Sequence, residues 1–231
     1  MIVCNKFVFL HLHKSGGSFV NKLILSSIPY ARQLGYHLPY SQLPASYRRL
    51  SVLGSVRNPW AYYVSWYAFQ SQISQPNPLF LWASDQKRLN FEATIERLLD
   101  IGIDDSAFEQ VQALLAKNFS NSGLNLTQAC LQKLKGQQCG FYTFLYHHLY
   151  DGADNLHIVR LEHLKEELLH YFSTMAVEPQ QKLIAYLKKA PRVNCSQHND
   201  YQAYYSDTLR QRIEIMDGEL IARYQYQFNH N

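Results

Sequence analysis

Four of the 231 residues are cysteines, and none of them (Cys4, Cys130, Cys139, Cys195) stands in a C-x-x-C or zinc-like spacing. Reduced thiols are the plainest reading, although four cysteines leave three two-disulfide pairings open. No apolar run approaches the length of a membrane span. The stretch Phe7 to Leu12 is too short for a signal-peptide core and has no small-residue cleavage site behind it. Long basic runs are also missing. Doublets such as Arg48-Arg49 and Lys188-Lys189 read as solvated faces, and a net charge of +4 favours anionic ligands over anionic polymers such as nucleic acid. There is no internal repeat and no low-complexity tract. What is present is apolar material: 47% hydrophobic against 17% charged, too much for disorder and enough for a core. The expectation is a single soluble, cytoplasmic domain over 1–231 with no membrane span.

Three apolar segments read as buried strands that each lead into a helix. Lys6 to Leu12 is β-branched and aromatic and ends at the turn "HKSGGS". The helix after it, "SFVNKLILSSI", has apolar residues at 19, 20, 23 and 24, with Ser18 as its expected cap. Ser51 to Val56 is the second strand. It ends at Arg57-Asn58-Pro59, where Pro59 suits the first turn of a helix through Tyr67. Leu156 to Leu161 is the third, followed by "EHLKEELLHYF". Strands alternating with helices predict an α/β domain with a mostly parallel sheet. Residues 90–150 read as a helical insertion, "QISQPNPLF" as a loop or lid leading into it, and Asp207 to Tyr226 as one long helix.

The turn Lys14-Ser15-Gly16-Gly17-Ser18 is the first chemical signal. Strand, glycine turn and helix in that order gather backbone N–H groups and the positive end of a helix at one point, an anion site. It is not a Walker A loop, because aligning Lys14 with the motif lysine puts His13 and Val8 where glycines are required. The second strand ends in Arg57 where such a protein would carry an acidic magnesium ligand. G-x-G-x-x-G is absent as well. The site therefore carries its own cations. Arg57, with Ser65 eight residues later, suits a second phosphate dianion, so two anion sites imply a ligand with two separate phosphate groups.

At these residues the chain resembles the sulfotransferases that use 3′-phosphoadenosine 5′-phosphosulfate (PAPS). "HKSGGS" is similar to their 5′-phosphosulfate loop and "VRNPWAYYVSWY" to their 3′-phosphate motif. "YHLPYSQLP", "VRLEHL" and "NCSQHNDYQAYYSDTLRQRI" resemble, in order, further segments of the heparan 2-O- and 6-O-sulfotransferase-like branch and its bacterial relatives. The resemblance implies a P-loop-NTPase-like three-layer fold, with a central, mostly parallel sheet flanked by helices. It also implies sulfuryl transfer from PAPS, without metal, to a hydroxyl on a carbohydrate or glycoconjugate. By resemblance, Lys14 and the N–H groups of Ser15, Gly16, Gly17 and Ser18 would hold the phosphosulfate. Arg57 and Ser65 would hold the 3′-phosphate, and His37 in "GYHLP" would be the catalytic base. Asn194, Ser196 and His198 would lie in a loop closing over the nucleotide. Many relatives carry a basic residue near Trp60, Ala61 or Tyr62; this chain does not. The alternatives are a P-loop-type nucleotide kinase, disfavoured by the missing glycines and acid, and a catalytically silent nucleotide-binding protein.

Other histidines and aromatics have plainer readings. His11 and His13 share a strand face, but no third metal ligand is evident in the sequence. His147 and His148 are adjacent and point apart on a helix, which suits structural roles. Tyr62, Tyr63, Trp66 and Tyr67 could stack on a ligand, with helix packing the expectation for at least half of them.

Overall fold

Two short strands that the sequence reading did not anticipate complete the sheet. Ile2–Val3 (β1) pairs antiparallel with Phe7–Phe9 (β2), and Arg32–Gln33 (β3) pairs antiparallel with β1. From β2 onward the pairing is parallel, first with Ser51–Val56 (β4) and then from β4 to Leu156–Arg160 (β5). The order β3-β1-β2-β4-β5 is thus a mixed sheet whose parallel part is formed by the three expected strands. This computed structural model describes residues 1–121, 123–175, 180–189 and 200–229. The chain divides into two compact units. One comprises Met1–Arg57, Ser120–Asn125 and Tyr146–Cys195, the other Asn58–Phe119, Leu126–Leu145 and Ser196–Asn231.

The first unit holds the sheet. Gly17–Ser27 (α1) follows β2 and brings the buried Phe19, Val20, Leu23 and Ile24 against Phe7, Phe9 and Leu53. The same core takes Leu164, Leu168, Tyr171 and Phe172 of a helix at Leu164–Thr174, and Leu183 and Leu187 of one at Gln180–Lys189. The strand predicted over residues 6–12 is regular only at Phe7–Phe9. Leu10 N–H still donates to Leu53 C=O at 2.9 Å, but beyond it the backbone leaves the ladder. The vacated position on β4 is taken by the Tyr150 hydroxyl. It accepts from Ser55 N–H at 2.9 Å and lies 3.0 Å from Ser55 C=O. Gly54 makes that approach possible, since a β-carbon there would sit 2.5 Å from the Tyr150 ring. Inserting a side chain between strands this way parts β2 from β4 at their carboxyl ends, where open α/β sheets take their ligands.

The second unit is helical, and its helix starts are written in the sequence. Pro59–Gln72 (α2) begins at Asn58, whose side-chain oxygen accepts from Trp60 and Ala61 N–H at 3.1 and 3.4 Å, with Pro59 in the first turn as expected. It runs five residues past Tyr67, because it is buried on nearly every side and packing extends it. Pro78–Ala83 (α3) is capped by Asn77, and the buried Leu79 and Phe80 fix it in the unit. The segment read as a loop or lid is therefore loop only as far as Asn77 and packed helix after it. Asn90 and Asp104 cap Phe91–Asp100 (α4) and Asp105–Leu114 (α5). Gln128–Leu131 (α6) starts at Thr127. Phe141–Tyr150 (α7) begins in this unit and ends in the first. The two helices at Leu164–Thr174 and Gln180–Lys189 follow as α8 and α9. No helix among the described residues is long and apolar enough to cross a membrane.

The long C-terminal helix expected over residues 207–226 is two helices, Asp207–Met216 (α10) and Gly218–Tyr224 (α11). Asp217, fully buried, breaks it. Its carboxylate accepts from Thr143 N–H at 2.9 Å, from Thr143 Oγ1–H at 2.7 Å and from Tyr63 Oη–H at 2.7 Å, while Tyr63 Oη accepts from Tyr142 N–H at 3.1 Å. These are N–H groups of the first turn of α7, which have no intrahelical partner. Asp217 thus caps α7 from a distance, and an uninterrupted helix would forfeit that cap. Burial pushes its carboxyl up to about 6, against the opposing pull of its Thr143 and Tyr63 bonds. A folded-state value above the unfolded one means the folded chain holds the proton more tightly. Its contribution is complete below pH 4 and is lost as pH rises through 6. Wild type should therefore lose on the order of 2–3 kcal/mol between pH 4 and 7 relative to Asp217→Asn, read by urea denaturation at both pH values. Parallel pH dependence in the two proteins would contradict this account.

Candidate active site

The turn between β2 and α1 answers why this chain places two glycines in succession. Gly16 is the N-cap of α1 with φ of 82°, a left-handed conformation that glycine adopts without steric cost. Gly17 is needed for a different reason. A β-carbon on it would fall 1.8 Å from Cδ2 of His11, whose buried ring lies flat against the bare backbone there. Ser18, the expected cap, is inside the helix, and no side chain caps α1. The Gly17 and Ser18 N–H groups, in the first turn, have no intrahelical carbonyl to bond, and the positive end of the helix dipole lies at the same point. Ser15 is buried, with its hydroxyl donating to His13 C=O at 3.3 Å.

Two cations flank this helix end. Lys14 has φ of 57°, so the chain turns left-handed at the residue that ends the loop's approach. Arg57, one residue past β4, donates from Nη1 to the Lys14 carbonyl at 3.4 Å. Adjacent parallel strands therefore deliver one cationic side chain each to the same end of the sheet.

His37 joins them through His11. Its Nδ1 lies 2.7 Å from the His11 carbonyl. A carbonyl can only accept, so Nδ1 carries the proton, and in the neutral ring Nε2 keeps a lone pair. The ring sits 4.4 Å from that of His11 and 5.4 Å from that of His13, centroid to centroid. Burial pushes His37 down to about 4, with the His11 carbonyl partly offsetting it and the Met1 amino group adding to it. His11 and His13 are also held well below the usual imidazole range, mainly by burial and then by the neighbouring His37. All three rings are neutral at pH 7. Nδ1 of His13 is buried with no hydrogen-bond partner. Among the described residues no three His, Cys, Asp or Glu side chains come together as a metal-binding set.

Of the residues singled out in the sequence, the first unit brings together Lys14, Ser15, Gly16, Gly17, Ser18, His37 and Arg57. Ser65 is buried on α2 in the second unit. Asn194, Ser196 and His198 lie outside the described residues. The aromatic group on α2 packs as core: Tyr62 stacks on Tyr142 at 3.9 Å and Trp66 meets Phe80 edge-on. His147 and His148 bond Asp151 and the Asn125 carbonyl, structural contacts as expected. The part His11 plays was not legible. Read as a strand residue beside His13, it gives no hint that its ring occupies the space of a missing β-carbon.

No family model and no curated protein matches the sequence. Among solved structures, the mouse sulfotransferase SULT7A1 complexed with PAP is similar at a TM-score of 0.46 and 12% identity, over 97% of this chain and 86% of that one. At that score the likeness is loose, and the residues of this chain alone carry the functional reading.

The close approach of His11 to Gly17 is testable without any ligand. Gly17→Ala should destabilise the protein by about 1–3 kcal/mol, the range for overfilling a packed site, although alanine is otherwise the better helix residue. In a His11→Ala background the same change should cost nothing or stabilise. Denaturation midpoints of the four proteins form the cycle, and additive effects would show that the ring does not require the glycine.

Proposed function

We propose that the chain is a PAPS-dependent sulfotransferase acting on a hydroxyl of a carbohydrate or glycoconjugate. The observation that carries this reading is the meeting of Lys14, Arg57 and the N-terminus of α1 at the ends of two adjacent parallel strands. A site with two cations, a helix dipole and unbonded first-turn N–H groups suits a ligand carrying separated phosphate groups. The ordered resemblance of five segments to PAPS enzymes supports PAPS as that ligand, and the carbohydrate acceptor rests on the branch those segments resemble.

In this reading Lys14 and the first turn of α1 hold the 5′-phosphosulfate, and Arg57 takes the 3′-phosphate. PAPS supplies a sulfuryl group on a good leaving phosphate. His37 Nε2 accepts the acceptor hydroxyl's proton as that oxygen bonds to sulfur and the bond from sulfur to the phosphate oxygen breaks. Lys14 stabilises the charge left on that oxygen. Because His37 is held neutral, the base is in its competent form throughout the physiological range.

Calorimetry with 3′-phosphoadenosine 5′-phosphate in EDTA should show binding, whereas binding only with Mg²⁺ would favour the kinase reading. Arg57→Ala should weaken that nucleotide roughly 30- to 1,000-fold, the loss of charge-assisted bonds worth about 2–4 kcal/mol. The change should be far smaller for adenosine 5′-phosphosulfate, which lacks the 3′-phosphate. Equal losses would mean that Arg57 does not read that group.

His37→Ala should leave nucleotide affinity nearly unchanged while turnover falls about 10²–10⁴-fold. In wild type, kcat/KM should be level at neutral pH and fall only as pH drops toward about 4, since protonation of the ring removes the base. A fall centred near the ordinary imidazole value would show that the ring is not desolvated as described.

A further inference from the structure

His37 sits in a left-handed backbone conformation that few non-glycine residues adopt. Its φ is 48°, in the left-handed region, and such strain persists only where the surroundings impose it. The surroundings are found 83 to 88 residues further on in the sequence, in the segment Ser120–Asn125 of the same unit. Tyr36 N–H donates to the Asn121 carbonyl at 3.3 Å, and Asn125 Nδ2 donates to the Tyr36 carbonyl at 2.5 Å. Both backbone groups of the residue before His37 are therefore held by this one segment.

Asn125 is itself fixed. Its Oδ1 accepts from Ser120 N–H at 2.8 Å, and its carbonyl accepts from His148 Nε2 at 3.0 Å. The amide can face only one way, because the Tyr36 carbonyl can only accept and the Ser120 N–H can only donate. Asn125 is 7% exposed and has φ of 52°, a left-handed position that asparagine tolerates better than most residues. Tyr36, by contrast, leaves its ring half-exposed beside His37, 6.3 Å away between centroids. The clamp acts on the backbone of the turn and leaves the Tyr36 ring facing outward.

We propose that Asn125 is a positioning residue for His37, holding the Tyr36–His37 turn so that Nδ1 meets the His11 carbonyl and Nε2 points away with its lone pair. The inference rests on the reading of His37 as the base. The conformation it describes does not. Among the described residues, the titratable groups facing the His37 ring are the His11, His13 and Tyr36 side chains and the Met1 amino group, with Lys14 acting on His13. None of them bonds Asn125 in its place, so loosening the turn changes the ring's solvation rather than its charged neighbours.

Asn125→Asp is the informative variant. It keeps the acceptor for Ser120 N–H and replaces the donor to Tyr36 with a carboxylate that repels that carbonyl; Asn125→Ser is the second variant should the first fold poorly. Turnover should fall about 10- to 100-fold with nucleotide affinity within about threefold of wild type. In a His37→Ala background the same change should cost almost nothing further, since a residue acting through His37 has nothing left to position. The NMR titration of His37 in Asn125→Ser, which needs no substrate and adds no charge beside the ring, should move up by at least about one pH unit as the ring gains water. An unchanged titration, or an equal loss of turnover in the His37→Ala background, overturns the proposal. Absence of sulfuryl transfer in wild type would defeat the functional reading alone, and the titration would still decide the role of Asn125.

Discussion

The packing of the His11 ring against Gly17 is the constraint on which the first unit's site depends. It sets how closely β2 approaches α1, and so where the first-turn N–H groups lie relative to Lys14. The same residue presents the carbonyl that orients His37. One histidine thus ties the start of α1 to the His37 imidazole, with its ring on one and its backbone on the other. A smaller residue at 11 would leave a void beside the helix, and a larger one at 17 would push the ring into the turn that carries His37.

The electrostatics follow from that packing. Three imidazoles crowd into a buried cluster, and burial keeps them neutral where exposed ones would be partly charged at mildly acid pH. Positive charge is thereby confined to Lys14, Arg57 and the dipole of α1. Neutral rings and fixed cations are separate requirements of the proposed chemistry. A base must be unprotonated, while an anion needs charge that does not titrate away. Left-handed backbone at Lys14, Gly16 and His37 also belongs to this neighbourhood.

The second unit solves a different problem with one buried carboxylate. Asp217 interrupts what would be a single helix, and its oxygens satisfy N–H and hydroxyl groups from two other elements. An unpaired buried charge would be costly; three donors make it tolerable and still leave its carboxyl raised to about 6.

The sequence by itself determined the elements whose cause is local. The strand Ser51–Val56, the helix start at Asn58-Pro59 and the glycine turn after β2 are legible because caps, prolines and β-branched runs act over three or four residues. The placing of Arg57 directly after a strand and of Lys14 in the glycine turn was legible for the same reason. Tertiary structure decided the rest. The two antiparallel strands are too short to carry a periodic signal. The helix break at Asp217 depends on Tyr63 and Thr143, and the loss of ladder pairing after Leu10 depends on Tyr150. The clamp on Tyr36 comes from a segment some 85 residues away. Each joins groups far apart in the chain through burial and hydrogen bonding, and no window of neighbouring residues contains both partners. The glycines show the division most plainly: their positions were visible in the sequence, but which of them serves a left-handed turn and which makes room for an imidazole was settled only by what packs against them.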